Sequence, residues 1–323
     1  MEIIIDSQYE GIRIDKAIEI LLKENNYPQA TRSMIKDHIK EGCKVNDKEV
    51  KPSHKLKEGE NFNIDLEYWK DFFENEDLSA QIVAQEGDLE ILFEDQYLMV
   101  IFKPKGIVVH PGIGNTRDTL ANYLKYYLQE KDELDINMDR AGIVHRLDKG
   151  VSGVMVVAKT KEVQDLLKQQ FASREVSKIY LANIEKFKES EIVCSEDIDI
   201  QQILRKVEGD DIDYEDWFNA KGYVGRSRVN RYKMEFKLYE FGGSKSARSY
   251  ILPVNENQLL VKIVTGRMHQ IRATLQYYGY HIVGDNLYGS NSTKEVSSEV
   301  MLQSIYLSFV HPITKKKLHF SKT

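Results

Sequence analysis

The nine residues His145-Arg146-Leu147-Asp148-Lys149-Gly150-Val151-Ser152-Gly153 run straight into the apolar strand pattern Val154-Met155-Val156-Val157-Ala158. They place one carboxylate between a basic dipeptide and a flexible Gly/Ser turn. An acid at a loop–strand junction, with an arginine two residues before it, is oriented for work on a ligand. The flanking Lys149-Gly150 and Ser152-Gly153 permit unusual backbone geometry where a side chain must meet that ligand. Arg146 and Asp148 are i and i+2, so in an extended loop they project to the same side. The opposite number of this segment is Thr265-Gly266-Arg267-Met268-His269-Gln270-Ile271-Arg272.

Around these two segments the chain alternates strands and helices. Two apolar runs, Ile91-Leu92-Phe93 and Leu98-Met99-Val100-Ile101-Phe102, are separated by a polar break and predict a hairpin. Leu120, Tyr123, Leu124, Tyr127 and Leu128 follow helical spacing, with Asp118 placed to cap the N-terminus. Val163, Leu166, Leu167 and Phe171 predict another helix. Strands are expected at 179–184, 232–239, 249–254 and 259–264, and a helix from about Arg267 to Tyr278. The segment from about Phe187 to Arg226 is acidic and reads as an irregular insertion. The pattern is mixed α+β, without internal repeats.

The N-terminal 70 residues form a separate small module. Ile14, Ala17, Ile18, Leu21 and Leu22 mark one helix, which Tyr27-Pro28 breaks. Met34, Ile35, His38 and Ile39 mark a second, stopping at Gly42. Short strands follow at 43–46 and 62–66, with a turn at Asp47-Lys48. Arg32, Lys36 and Lys40 recur every four residues as a basic stripe. Most such stripes are solvated helix faces; the sharper reading is a surface that tracks phosphates. The acidic stretch 71–88 reads as a linker, charged and without periodicity.

With 41% hydrophobic and 30% charged residues in 323, the composition is that of an ordinary soluble protein. No apolar run approaches the roughly 18 residues a membrane span needs. Met1-Glu2-Ile3-Ile4-Ile5-Asp6 is a strand pattern without a basic leader. Cys43 and Cys194 stand alone, which fits a reducing cytoplasm. The net charge of −6 hides an uneven distribution. From Ala30 to Lys57 eight Lys/Arg face four acids, and from Trp217 to Tyr250 eight face two. The negative charge is concentrated in 71–90 and 189–216, so the average does not argue against nucleic acid.

The individual site candidates each have a plain structural reading. Asp148 could cap its turn or pair with Arg146. Arg267 and Arg272 fall in the first turns of the expected helix, a poor place for cations unless an anion satisfies them. Tyr180 alternates along its strand with Lys178 and Ala182, and most strand tyrosines are core. His145, His269 and His281 lack metal-ligand spacing and read as structural, hydrogen-bonding histidines. There is no glycine-rich phosphate loop, no metal cluster and no serine elbow.

Five segments in order nevertheless resemble the RluA-type RNA pseudouridine synthases. They are Lys103-Pro104-Lys105-Gly106 with His110-Pro111-Gly112, then His145-Arg146-Leu147-Asp148 through Ser152-Gly153 to Ala158-Lys159, and Lys178-Ile179-Tyr180-Leu181-Ala182. Thr265-Gly266-Arg267 with His269-Gln270-Ile271-Arg272, and Gly284-Asp285 with Tyr288-Gly289, complete the set. The likeness covers roughly 89–320. Residues 13–17, 31–35, 42–46 and 56–60 are similar to a ribosomal-protein-S-four-type RNA-binding module.

The resemblance implies an α+β fold: a large catalytic domain at 89–323 with a central mixed, mainly antiparallel β-sheet flanked by helices and loops. A small α/β RNA-binding module at 1–70 and the 71–88 linker precede it. It implies isomerisation of uridines, with ribosomal RNA the expected substrate, to pseudouridine, with no cofactor, no metal and no obligate protein partner. Asp148 would be the catalytic aspartate, acting either by attack at carbon or by removing a proton. Arg146 would fill the gap left by a flipped base, Tyr180 would stack on that base, Ile271 would wall the pocket and Arg272 would pair with Asp148. Arg32, Lys36, Lys40 and Arg267 would contact RNA. Val151 stands where the family usually has threonine. Two other readings stay open: a catalytically inactive RNA-binding protein of the same fold, and an unrelated phosphodiester hydrolase. The second is disfavoured because no further carboxylate stands at metal-binding spacing.

Overall fold

The apolar run after Asp148 is a strand, Ser152–Ala158, buried along its whole length. The computed structural model that shows it describes all residues except 8, 26, 28, 29, 80, 81, 113, 114, 116, 134, 136, 137, 194–196, 210, 215, 231 and 290–298, and except the side chains of 33, 37 and 73–79. Pro28, the expected helix breaker, and Cys194 lie outside the described residues. Met1–Gln81 and Ile82–Thr323 form two compact units.

In the first unit, β1 (Glu2–Ile4), β2 (Cys43–Val45) and β3 (Asn61–Ile64) form an antiparallel sheet in the order β1-β3-β2. Helix α1 (Ile14–Glu24) buries the five apolar positions expected of it. The second expected helix is divided into α2 (Arg32–Asp37) and α3 (Ile39–Gly42). The backbone leaves the helical region at His38, with φ −120° and ψ 11°. That ring bonds the Tyr68 hydroxyl at 2.9 Å and packs 4.3 Å from Phe72. Where the charge pattern predicted an irregular linker, α4 (Leu66–Ser79) is helical. Its aromatics explain the difference. Trp69 is fully buried against Gly42, which leaves room for the indole by having no Cβ, and its Nε1 donates to the Gly42 carbonyl at 2.9 Å.

The second unit carries β4 (Glu90–Glu94), β5 (Leu98–Lys103), α5 (Leu120–Glu130), β6 (Ser152–Ala158), α6 (Lys161–Ser173) and β7 (Ser177–Lys186). Then follow α7 (Ile200–Glu208), β8 (Phe218–Arg226), β9 (Met234–Lys237), β10 (Lys245–Asn255), β11 (Gln258–Ile263), α8 (Gln270–Tyr277), β12 (Tyr280–Ile282), β13 (Leu302–Val310) and β14 (Lys317–Ser321). One sheet runs β4-β5-β6-β13-β7-β11-β10-β8-β9, with β12 added to β7 and β14 to β13. Among the described residues the parallel pair is β13 with β6, and the other neighbours are antiparallel. This is the mixed, mainly antiparallel α+β sheet that the resemblance implies.

Two local expectations are corrected. Thr119, not Asp118, caps α5, in a capping box with Asn122; Asp118 stands in a left-handed conformation and bonds Gln85. The acidic segment 187–226 is irregular only in part, since it contains α7 and β8. Leu204 and Val207 bury one face of α7, and β8 pairs with β10 over seven register positions. Its acids obscured an apolar helical spacing (Ile200, Ile203, Leu204, Val207) and an alternating strand.

Candidate active site

The Asp148 loop is fixed at both ends. Leu147 and Val151 are buried, and the Val151 N–H closes a turn on the Asp148 carbonyl at 3.0 Å. Gly153 has φ 142° where β6 lies against β13, and a Cβ there would collide with Ser304. Only glycine accommodates both constraints. Upstream, His145 Nε2 accepts the Val156 N–H at 3.1 Å while its ring stacks 4.6 Å from Phe171. Burial pushes this imidazole down to about 3, so it is neutral and structural, as expected.

A second latch comes from the turn after β5. Lys103 is wholly buried and its ammonium donates to the carbonyls of Pro104 and Ile107, at 2.8 and 2.9 Å. Burial pulls it down to about 8 against the opposing charge of Asp148. The Gly106 N–H then donates to the Lys149 carbonyl at 2.8 Å, tying this turn to the Asp148 loop.

Arg272 comes from the first turn of α8. Its Nη1 donates to Asp148 Oδ2 at 3.3 Å, which joins the two segments that lie 124 residues apart. The stronger contact is to Asp285, where Nε and Nη2 make two bonds of 2.7 Å. Asp285 is wholly buried and also accepts the N–H groups of Leu287 and Tyr288 at 3.0 Å. Burial raises its carboxyl, but the Arg272 guanidinium and these bonds outweigh it and hold it below the ordinary carboxylate value. Beneath the guanidinium lies the Tyr288 ring, 4.8 Å away. The anion demanded by a cation at a helix N-terminus is therefore chiefly Asp285.

His269, with φ 51°, turns its Nε2 to 3.8 Å from Asp148 Oδ2, and its Nδ1 lies 3.1 Å from the Tyr288 hydroxyl. Burial lowers its pKa against the pull of Asp148. Although the sequence marked it as structural, it stands beside the carboxylate. Tyr180 and Ile271 are both 6% exposed, and both line the same cleft as Arg146, Asp148 and Arg272, a space of about 560 Å³. Burial raises the Tyr180 phenol far above its usual value. Asp148 keeps 28% of its side chain exposed, so the buried arginine presents it to the cleft.

The four expected RNA contacts fall in different settings. Arg267 lines the cleft but precedes α8, and its Nε is engaged by the Ser246 carbonyl at 2.9 Å. Arg32 is committed to the buried Asp15, 3.2 Å away, a carboxylate it shares with Arg13. Lys36 is exposed, and Lys40 approaches Glu49 at 4.0 Å. The division at His38 places these three on two short helices instead of one continuous stripe.

Residues 97–277 match the family model described as RNA pseudouridylate synthase. The chain belongs to that family. Over nearly its whole length it is 34% identical to an uncharacterised RNA pseudouridine synthase of Aquifex aeolicus, covering 88% of this chain and 83% of the relative. It is 32% identical to a ribosomal large subunit pseudouridine synthase D of Pseudomonas aeruginosa, covering 89% and 82%. The corresponding enzyme of Zymomonas mobilis is 29% identical, over 96% and 89%. Among solved structures, human RNA pseudouridylate synthase domain containing 1 superposes with a TM-score of 0.53 at 20% identity, over 74% of this chain and 86% of that one. This last likeness concerns the fold.

The matched region of the synthase includes Arg146, Asp148, Tyr180 and Arg272. Sequence reading gave four of these residues no part in the site: Asp285, Tyr288, Lys103 and His269, the last read as structural. Asp285 and Tyr288 stood in a quoted motif, and their signal was the unsatisfied cation at the start of α8. For His269 the signal was its place three residues before Arg272. Nothing in the sequence marked Lys103 as buried.

Proposed function

We propose that this synthase isomerises uridines of large-subunit ribosomal RNA in the cytoplasm, with Asp148 as its catalytic residue. One observation carries the reading: Asp148 is partly exposed to a cleft and held from behind by an arginine whose own position a buried carboxylate fixes. In the reaction the C1′–N1 bond breaks, the uracil turns, C1′–C5 forms, and the proton on C5 leaves for solvent as N1 gains one. Bonds and electrons balance within one nucleotide, so the exchange itself calls for no redox partner.

A base inside an RNA stack is out of reach of a carboxylate at the floor of a cleft, so the nucleotide is extruded at a cost of a few kcal/mol. Arg146, exposed beside Asp148, offsets that cost by stacking in the vacancy. Tyr180 packs against the extruded ring and Ile271 closes the pocket behind it. The carboxylate acts on the nucleoside, either at carbon or on a proton, while Arg272 keeps it aimed. The first unit supplies an RNA-binding module, to which Lys36 and Lys40 contribute phosphate contacts, with Arg32 ordering the helix that carries Lys36. The names of the bacterial relatives support ribosomal RNA as the substrate class.

The direct test is tritium release from C5 of uridine-labelled large-subunit ribosomal RNA. Wild-type protein should release tritium, and Asp148→Asn should release none while binding the RNA within about threefold of wild type. Substantial release by the variant would remove Asp148 from the chemistry.

A further inference from the structure

Lys178 enters the cleft from β7, two residues before Tyr180 and on the same face of that strand. Its surroundings offer this cation no counter-charge. The Phe171 ring, 5.2 Å from the ammonium, gives a cation–π contact that does not neutralise the charge, and the His145 imidazole, which feels that charge, is neutral. Gly266 opposite offers no side chain; a Cβ there would stand 3.8 Å from Nζ. Among the described residues no carboxylate pairs with this ammonium, in contrast to Lys159 and Arg272, the other buried cations of the unit that carry ion pairs. Burial alone draws it down to about 8, with no acid opposing.

Lys178 is half-buried, so its ammonium faces the cleft only partly hydrated and without a counter-ion, and a bound anion would supply the missing charge. Lys178 and Tyr180 are two residues apart, about 6.6 Å along an extended strand. That is close to the span between a nucleotide's base and its own backbone phosphate. A base packed on Tyr180 would thus leave a phosphate at the lysine.

We propose that Lys178 is a phosphate-binding residue of the cleft, its ammonium pairing with the RNA backbone beside the nucleotide whose base meets Tyr180 and Asp148. The proposal rests on the synthase reading above for the identity of the ligand. It assigns Lys178 to substrate positioning and leaves the reacting atoms to Asp148. Because the lysine is half-buried in the cleft, the pair is screened less than a contact on the exposed rim.

The experiment compares wild type, Lys178→Met, Lys178→Gln and Lys178→Arg on an unmodified large-subunit ribosomal RNA transcript. Equilibrium binding across a range of KCl concentrations reads the lysine, and tritium release reads the synthase assignment, so the two can fail separately. Loss of one phosphate contact should weaken binding about tenfold and flatten the plot of log affinity against log salt by about 0.7–0.9. The arginine variant should restore the slope. In turnover, KM should rise in the methionine and glutamine variants while kcat stays within about threefold. Both should melt at or above the wild-type temperature, since a half-buried charge without a counter-ion has been removed. An unchanged salt slope, a collapse of kcat at constant KM, or a marked loss of thermal stability in both variants would each overturn the proposal.

Discussion

Arg272 and Asp285 make two parallel bonds of 2.7 Å, whereas the same arginine reaches Asp148 with a single bond of 3.3 Å. The guanidinium has five donors in a rigid plane. Asp285 takes one edge of it and leaves the other facing the cleft. Asp285 is itself held by two backbone N–H groups, so the Asp148 carboxylate is aimed by a chain that ends in main chain.

Arg272→Lys should therefore fail even though it keeps the charge. A lysine ammonium offers a point contact and cannot hold Asp285 and Asp148 in one plane. A fall in kcat of about a hundredfold or more is expected, with KM little changed, from steady-state tritium release. Near-normal turnover would show that aiming through the planar pair is unnecessary. Asp285→Asn should act through stability as well: it leaves a guanidinium only 10% exposed without its main counter-charge. Breaking a buried pair in this way costs about 3–5 kcal/mol, which thermal unfolding would register as a drop on the order of 10 °C.

The same pair predicts how stability depends on pH. The Asp285 carboxyl is depressed in the folded protein, chiefly by Arg272 acting against its burial. Its contribution is complete above the unfolded carboxyl value of about 3.9 and disappears as pH falls through the lower folded value. The stability gap between wild type and Asp285→Asn should hence be constant from pH 7 to about 5 and narrow below about 4. Urea unfolding at a series of pH values measures it. A gap that widens on acidification would contradict the assignment.

The sheet and the site were legible to different depths, for physical reasons. Strands such as 154–158 carry enough apolar residues that their burial is visible without a partner. Apolar spacing likewise revealed α1, α5 and α6. The structure of 187–226 was hidden because a high acid content dominates the composition while a few apolar positions do the packing. Similarly, Trp69 converts an acidic stretch into a helix by docking on a distant glycine. At the site, Arg272 was legible as a cation in need of an anion. That the anion is mainly Asp285 depends on how α8 and the 285–289 turn meet, which no local pattern encodes. His269 and Lys103 were missed for the same reason: their roles come from burial set by other elements.

Gly153 is a tightly constrained backbone position next to the Asp148 loop. Its φ of 142° excludes ordinary side chains, and a methyl group would strike Ser304 on the parallel neighbour strand. Gly153→Ala should cost at least about 2–4 kcal/mol, combining backbone strain with overpacking. It should also displace Asp148, five residues upstream. Guanidinium titration with tritium release would show a lower midpoint and lost turnover together; wild-type stability would mean the strand pair can slide apart without penalty.

Arg146 separates two kinds of contribution, because it is exposed and, on the proposed reading, meets the substrate only where a base has left its stack. Truncation in Arg146→Ala should not alter the pocket, since Leu147 and Val151 anchor the loop from within. If the guanidinium fills the vacated position, its loss removes an offset to unstacking worth about 1–3 kcal/mol, or roughly fivefold to 150-fold in kcat/KM. That penalty should appear for a uridine embedded in a folded transcript. It should largely vanish for the same uridine in a short unstructured oligonucleotide, where little stacking has to be broken. The ratio of the two specificity constants, wild type against variant, is the measurement. An equal loss on both substrates would assign Arg146 to simple phosphate attraction, and a salt slope shallower by about one in the variant would then identify that contact.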